Sequence, residues 1–463
     1  MQNTCELPDN SKVLTNREIN KKIVSMILPI TIENLLQMVA GIVSMGMIGR
    51  IDVLAVSALG ISMRITQIIW ALFKGITTGA TVYVAQYYGA GNHKKMLHVI
   101  QQTLLSTIAV VIALQAVIYL FAPRLLMIFN PKEELLRHAV IYLKTVSLGL
   151  PFLAIMLVIG GVLQGMGNAK TPMFITLIMN FVNILVGYVL IFGKLGLQPM
   201  GIRGAGIATA VSQGIAALLG IYILFCQKGV LRTYFNKGFF KRDMKQVKDV
   251  YRVGMPSAME SIFWQLAAII LTRAVLTYGE TAFAAHQLGM QAESISYMPA
   301  LGFAIAATTF VGQALGAQDP ELAKKYLKQI IKGAVVITSI SVGILVFLPK
   351  TMMSLLTNNS EVIALGAVYL ILMGLVQLPQ NISGVLYGVM RGAGHTRVPM
   401  TVAGIGLWGI RVPFTLIAVY LLKLPVAGIW VVMSIDLASR FFICLWLFKR
   451  KNIFESRIVI EKE

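Results

Sequence analysis

The sequence predicts an all-α integral membrane protein: twelve transmembrane helices as two six-helix bundles related by a pseudo-two-fold axis along the membrane normal. Three observations predict it. Only 13% of the 463 residues are charged, about half the share in soluble domains, and the mean hydropathy is +0.76. Twelve stretches are apolar for about 20 residues or more, the length that crosses a bilayer. The chain also matches itself at a single offset of 227 residues, from Pro29 with Pro256 to Met173 with Met400.

The elements follow in order. Residues 1–22 are polar and are expected to be a cytoplasmic segment. The apolar stretch after them runs for about 26 residues, too long for a signal-peptide core, and is expected to be retained as the first span. The predicted spans are 23–48, 55–85, 97–121, 136–163, 172–193 and 205–226, then 252–277, 283–312, 330–348, 362–390, 400–422 and 427–448. Nothing in them alternates with the strand period, and lipid satisfies no exposed backbone group, so all are expected to be helices. The domains expected are an N-terminal bundle over 23–227, a basic cytoplasmic linker over 228–251, a C-terminal bundle over 252–448 and a cytoplasmic tail over 449–463.

Charge sets the expected orientation. With both termini inside, about three-fifths of the 40 Lys and Arg fall on the cytoplasmic side, the positive-inside bias. The richest connection holds Lys228, Arg232, Lys237, Lys241, Arg242, Lys245, Lys248 and Arg252. It reads as a solvated linker beside lipid headgroups. The formal net charge of +21 is thus topological and calls for no nucleic-acid partner, since a nucleic-acid binder would not be this apolar.

Enzyme classes find no support. Cys5, Cys226 and Cys444 form no C-x-x-C pair, and the five histidines show no H-x-x-x-H spacing. Neither a phosphate-binding P-loop nor a G-x-S-x-G elbow occurs, so the chain is expected to be no enzyme and to need no cofactor.

At the 227-residue offset Glu33 meets Glu260, Gly75 meets Gly302, and Gln86-x-x-Gly89-Ala90 meets Gln313-x-x-Gly316-Ala317. Tyr142 meets Tyr369, and Gly165-x-Gly167 meets Gly392-x-Gly394. Six spans per copy give a parallel repeat, and transporters of that build hold substrate between their halves near the midplane. Pro29 and Pro256, each a turn before a carboxylate, are the hinge candidates.

Twelve spans as six plus six, with Ala285-His286-Gln287, Val311-Gly312-Gln313-Ala314-Leu315-Gly316-Ala317 and Arg391-Gly392-Ala393-Gly394-His395-Thr396, resemble the multidrug and toxic compound extrusion (MATE) transporters over roughly residues 20–450. The resemblance implies a secondary active exporter in the cell (inner) membrane, moving lipophilic or cationic small molecules outward against H⁺ or Na⁺. Two places depart from the family pattern. Gly41-Ile42-Val43-Ser44 has Ser44 where many bacterial members place a coupling Asp, and His395 stands where Asp is usual. Alternatives are a flippase for a lipid-linked precursor and, from another class, a non-transporting receptor or membrane enzyme. A monomer in contact with membrane lipids is expected.

Four acids fall within the predicted spans: Glu33, Glu260, Glu293 and Asp436. A charge there is costly enough to demand a partner or a purpose. A buried carboxyl can hold H⁺, Na⁺ or an organic cation in turn, and Na⁺ is expected at Glu260 or Glu33. Gln37 and Ser44 share a helix face with Glu33. Trp264, one turn beyond Glu260, would add a cation–π surface. Arg64, which meets Gln291 at the repeat offset, two residues before Glu293, is a further candidate, and Glu293 has Tyr297 and His286 on its own face. Arg440, four residues after Asp436, suits a local ion pair. Trp408 completes the expected cavity lining.

Overall fold

The computed structural model describes residues 15–51, 53–129, 131–225, 243–450 and 452–454. All regular structure among them is helical. In the first copy of the repeat these are α1 (Asn16–Gly49), α2 (Val53–Gly89), α3 (His93–Met127), α4 (Glu133–Ser147), α5 (Leu150–Gly165), α6 (Lys170–Phe192) and α7 (Gly201–Phe225). The second copy holds α8 (Met244–Leu276), α9 (Glu280–Gly316), α10 (Pro320–Phe347), the short α11 (Pro349–Ser354), α12 (Ser360–Gly392), α13 (Arg397–Gly404), α14 (Val412–Leu416) and α15 (Ala427–Arg450). Two π-helical stretches, Ile405–Arg411 and Ile417–Leu421, join α13 and α14 into one span, Arg397–Leu421. Pro413 gives no N–H to the turn before it, and the wider turns lie on either side of that gap.

Among the described residues, eleven spans are single runs, and α4 with α5, bent by 50°, makes a twelfth. This bent pair is the span expected over 136–163. Pro151 cannot bond to the Ser147 carbonyl, and its ring crowds it. Gly149 sits in the break, where a Cβ would overlap Gln213 Oε1 and come within 2.9 Å of Ala210 Cα on α7. The helix ends also outrun the apolar stretches: α1 begins at Asn16 and α8 at Met244. Of the basic linker expected over 228–251, residues 228–242 lie outside the described residues, and the rest is mostly the first turns of α8.

The repeat is visible in the bonds. Thr81 Oγ1 donates to the Gly161 carbonyl and Thr308 Oγ1 to the Gly388 carbonyl, both at 3.0 Å and both at the 227-residue offset. The α3 and α10 N-caps correspond in the same way. Asn92 accepts from Lys95 N at 3.1 Å, and Asp319 from Leu322 N at 2.8 Å. Each cap satisfies one of the free amides that open a helix.

Chain contacts divide the molecule into two compact units. Unit 1 gathers Ile32–Val84 and the described part of Asn92–Met255; unit 2 gathers the described parts of Asp9–Thr31 and Pro256–Glu463, with Ala85–Gly91. The division falls just after Pro29 in α1 and directly before Pro256 in α8. Unit 1 is cored by residues such as Ile48, Phe73, Val111, Leu126 and Leu143. Unit 2 is cored by Val275, Tyr369, Leu370 and Trp430. Large side chains such as Leu120, Phe347 and Phe442 point outward, as they do where lipid is the solvent.

Within unit 2 the end of α2 crosses the end of α9 at backbone contact. A Cβ on Gly89 would overlap the Gln313 carbonyl, and one on Gly316 would overlap that of Gln86. The repeated Gln-x-x-Gly-Ala strings therefore pack reciprocally on each other. Gln86 Nε2 donates to the Gly392 carbonyl at 2.7 Å and closes the crossing.

Candidate functional site

Unit 2 holds three of the four intramembrane acids, and each meets a different environment. Glu260 on α8 is buried, and Nη2 of Arg391 donates to both its carboxylate oxygens at 2.9 and 2.7 Å. Arg391 closes α12, which brings it onto α8. The span expected over 362–390 stops one residue short of it.

Asp436 on α15 is wholly buried. It accepts from Arg440 Nε at 2.9 Å, as the four-residue spacing suggested, and also from Arg440 Nη2. Arg411, at the end of the first π stretch, adds a bond from Nε at 2.6 Å. Gly406 permits this cluster, since a Cβ there would overlap Asp436 Oδ1 and reach 2.5 Å from Arg440 Cδ. Trp264 does not serve Glu260. Its ring instead faces the two guanidiniums, 4.9 Å from Arg411 and 4.7 Å from Arg440. The cations over that indole are thus the protein's own, fixed there by Asp436.

Glu293 on α9 stands apart. Its Oε2 accepts from the Tyr369 hydroxyl and its Oε1 from Gln377 Nε2, both at 2.6 Å. No Lys, Arg or His among the described residues lies within 4.0 Å of it. Tyr369 and Gln377 are fully buried on α12. His286 packs edge-on against Tyr369 with centroids 5.4 Å apart, and Trp430 meets the same ring in the same manner. These rings fix the hydroxyl that fixes Glu293. Tyr297 and Trp408 are exposed, at 45% and 38%.

Unit 1 has a different character. Glu33 on α1 accepts from Thr176 Oγ1 at 3.2 Å, while its Oε2 is buried without a partner. Gln37 and Ser44, on the same helix, line a cavity of about 260 Å³ together with residues of α2, α4, α5, α6 and α7, and Glu33 does not. Ser44 donates to Asn183 Oδ1 at 3.1 Å. Asn183 Nδ2 in turn donates to Thr209 Oγ1 and Ser212 Oγ, each at 3.3 Å. Met45, Met63, Met156 and Trp70 supply apolar wall, and the bend between α4 and α5 carries Tyr142 and Leu153 into it. Arg64 is exposed on α2. A count of acids passes over Asn180, Asn183 and Gln377. Polar residues at helical spacing within apolar spans would have pointed to the two asparagines.

Up to twelve apolar spans among the described residues, an internal repeat, and polar groups buried within each unit define a multi-pass membrane protein on the plan of a transporter. Comparison with known proteins gives the family. The MatE family model matches twice, over residues 29–189 and 256–417, once per repeat. The chain is 30% identical over 450 residues to the Probable multidrug resistance protein NorM of Thermotoga maritima, covering 96% of this chain and 95% of that protein. It is 26% identical to the Probable multidrug resistance protein YoeA of Bacillus subtilis, over 88% of each. Among solved structures, a MATE protein in complex with MaL6 superposes with a TM-score of 0.86 at 20% identity, over 93% of this chain and 96% of that one. A MOP superfamily transporter from Pyrococcus furiosus, described as having a binding pocket of reverse polarity, gives 0.84 at 20% identity, over 95% and 98%. The structural likenesses establish the fold. The chain belongs to the MatE family.

Proposed function

We propose that the chain is a secondary active multidrug exporter, carrying lipophilic and cationic compounds outward in exchange for H⁺ or Na⁺ by alternating access. It would act in the cell (inner) membrane with both termini cytoplasmic, as a monomer and without a cofactor. The relatives named as multidrug resistance proteins support the substrate class. The observation that carries coupling is Glu293, an intramembrane carboxylate held by Tyr369 and Gln377 alone. Two neutral donors orient its oxygens, and Arg411 acts on the charge only from beyond contact distance, which favours uptake of a proton or a small cation. Glu260 and Asp436 are already neutralised by guanidiniums, so an ion must displace an arginine to use either.

The test is transport in proteoliposomes with separately imposed pH and Na⁺ gradients and a fluorescent dye cation. Wild-type protein accumulates the dye under one gradient, and Glu293→Gln abolishes the gradient-driven part. Accumulation under neither gradient overturns antiport, and full activity in Glu293→Gln overturns the coupling role.

A further inference from the structure

Two helix starts in unit 2 are tied together. Gln329 Nε2 of α10 donates to Asn16 Oδ1 of α1 at 3.1 Å. Both helices pack on α9, with Ile27 against Gly302 and Gly333 against Phe303. Each helix presents one outward row that changes chemistry along its length. On α1 the row is Arg17, Lys21, Val24 and Leu28, and on α10 it is Lys325, Lys328, Lys332, Val336 and Ile340, all exposed. Steps of three and four residues keep each row on a single helix face. Measured from the Asn16–Gln329 bond at about 1.5 Å per residue, the first apolar member stands about 12 Å along α1 (Val24) and about 10.5 Å along α10 (Val336). The two rows thus turn from cationic to apolar at nearly one depth, as a surface does where lipid headgroups give way to acyl chains.

The cations in these rows lack a counter-charge in contact. No Asp or Glu among the described residues lies within 4.0 Å of Arg17, Lys21, Lys325, Lys328 or Lys332. The acids at the same helix starts are engaged otherwise. Glu18 accepts from Thr15 N and Oγ1 at 2.8 and 2.9 Å, Asp319 caps α10, and Glu321 pairs with Lys324 at 2.7 Å. Sidedness alone does not ask for the row on α10. At the 227-residue offset Lys324, Lys328 and Lys332 become Leu97, Gln101 and Leu105, and α3 keeps its lysines, Lys94 and Lys95, in its first turn.

We propose that the surface between these rows binds an anionic phospholipid. Lys21 from α1 and Lys325, Lys328 and Lys332 from α10 surround its phosphate, and its acyl chains lie along Val24, Leu28, Val336 and Ile340. Lysine attracts a phosphate as a point charge on a flexible stem and needs no fixed geometry. A basic recess between spans suits an acidic headgroup. A zwitterionic lipid brings its own ammonium, which the lysines repel.

The lipid site does not depend on the exporter reading, since it lies on the outer surface of unit 2 and needs no gradient. It is tested on the delipidated full-length protein in detergent, titrated with phosphatidylglycerol or with phosphatidylcholine of equal chain length. Native mass spectrometry reads the affinity, and melting curves read the stabilisation. Phosphatidylglycerol is expected to bind about tenfold tighter or more, and to raise the melting temperature. Each lysine beside an anionic lipid is worth about a fivefold gain in affinity. The triple exchange Lys325→Gln, Lys328→Gln and Lys332→Gln is therefore expected to weaken phosphatidylglycerol about a hundredfold. All three side chains are exposed, so the lipid-free protein is expected to melt as wild type does. Lys94→Gln with Lys95→Gln, in unit 1, is expected to leave the tight site unchanged. Glycerol phosphate, which has the phosphate without acyl chains, is expected not to displace the lipid. Equal affinity for the two lipids, unchanged affinity in the triple variant, an equal loss in the Lys94 and Lys95 variant, or displacement by glycerol phosphate overturns the proposal.

Discussion

At the scale of single residues, the acids divide by what neutralises them. Asp436 is wholly buried between two guanidiniums that also cover Trp264. Removing its charge strands two arginines in a dry site, and breaking such a cluster costs about 3–5 kcal/mol. Asp436→Asn should therefore lower the melting temperature in detergent, whatever it does to transport. Glu260 has one arginine, itself 22% exposed at the side chain, so water takes up part of the loss. Glu260→Gln should melt closer to wild type and weaken ion-driven export more than Asp436→Asn does per folded molecule. Melting curves and liposome transport at matched incorporation measure both orders. Asp436 was legible as a local pair with Arg440. Its second partner was not, because Arg411 arrives from another helix.

At the scale of elements, close approach decides what a position tolerates. Gly316 and Gly89 face carbonyls rather than side chains, and backbone has nowhere to move. Gly316→Ala should destabilise by about 1–3 kcal/mol through overpacking. Gly343→Ala, in α10 with nothing within 4 Å of the added methyl, should be neutral or slightly stabilising, since Ala is the better helix former. Thermal melts of the pair distinguish a packed crossing from a general aversion to alanine.

The start of α8 is held differently. Asp243 accepts from Lys245 N and Gln246 N at its own helix start, pairs with His98 Nε2 of α3 at 3.0 Å, and donates its amide to Gln102 Oε1 at 2.9 Å. The His98 bond, followed by the amide bonds, holds its carboxyl below the ordinary Asp value. A depressed acid stabilises above its unfolded value, and the contribution is lost as pH falls through the folded one. Amide exchange at Lys245 and Gln246 should thus stay slow at neutral pH and quicken only below the ordinary carboxylate range. The effect should be small, because the pair is solvated. His98→Ala should quicken it at neutral pH. The offset that joins the repeats sets Asn16 at the place of Asp243 and Gln329 at that of Gln102, and these two bond at 3.1 Å. The clamp is therefore repeated, but only one copy carries the His–Asp contact.

At the scale of the whole molecule, the halves share a plan and have diverged in chemistry. Unit 2 carries paired charges, and the cavity of unit 1 is neutral. The fourth span is bent in one copy and continuous in the other, which Pro151 and Gly149 together explain. The sidedness rests on the excess of Lys and Arg in alternate connections. A single cysteine placed at Lys237, in a chain freed of its three native cysteines, should react with an impermeant maleimide in inside-out vesicles and stay unlabelled in right-side-out ones. The reverse pattern would invert the orientation and with it the direction of export.

The sequence by itself determined the membrane class, the span count and the repeat, since each is written in local composition or in identity at a fixed offset. It also named the acids, because an ionisable residue in an apolar run is conspicuous without any fold. What only the tertiary structure decided is who meets whom. Arg391 lies 131 residues from Glu260, and Asn183 lies 139 from Ser44. Those pairings depend on helix crossings set by glycine contacts and by a proline bend, and no window along the chain contains them. The physical reason is that lipid fixes each helix one at a time, by length and hydropathy, whereas the charge state of a buried group is fixed by the few side chains that packing brings within bonding distance.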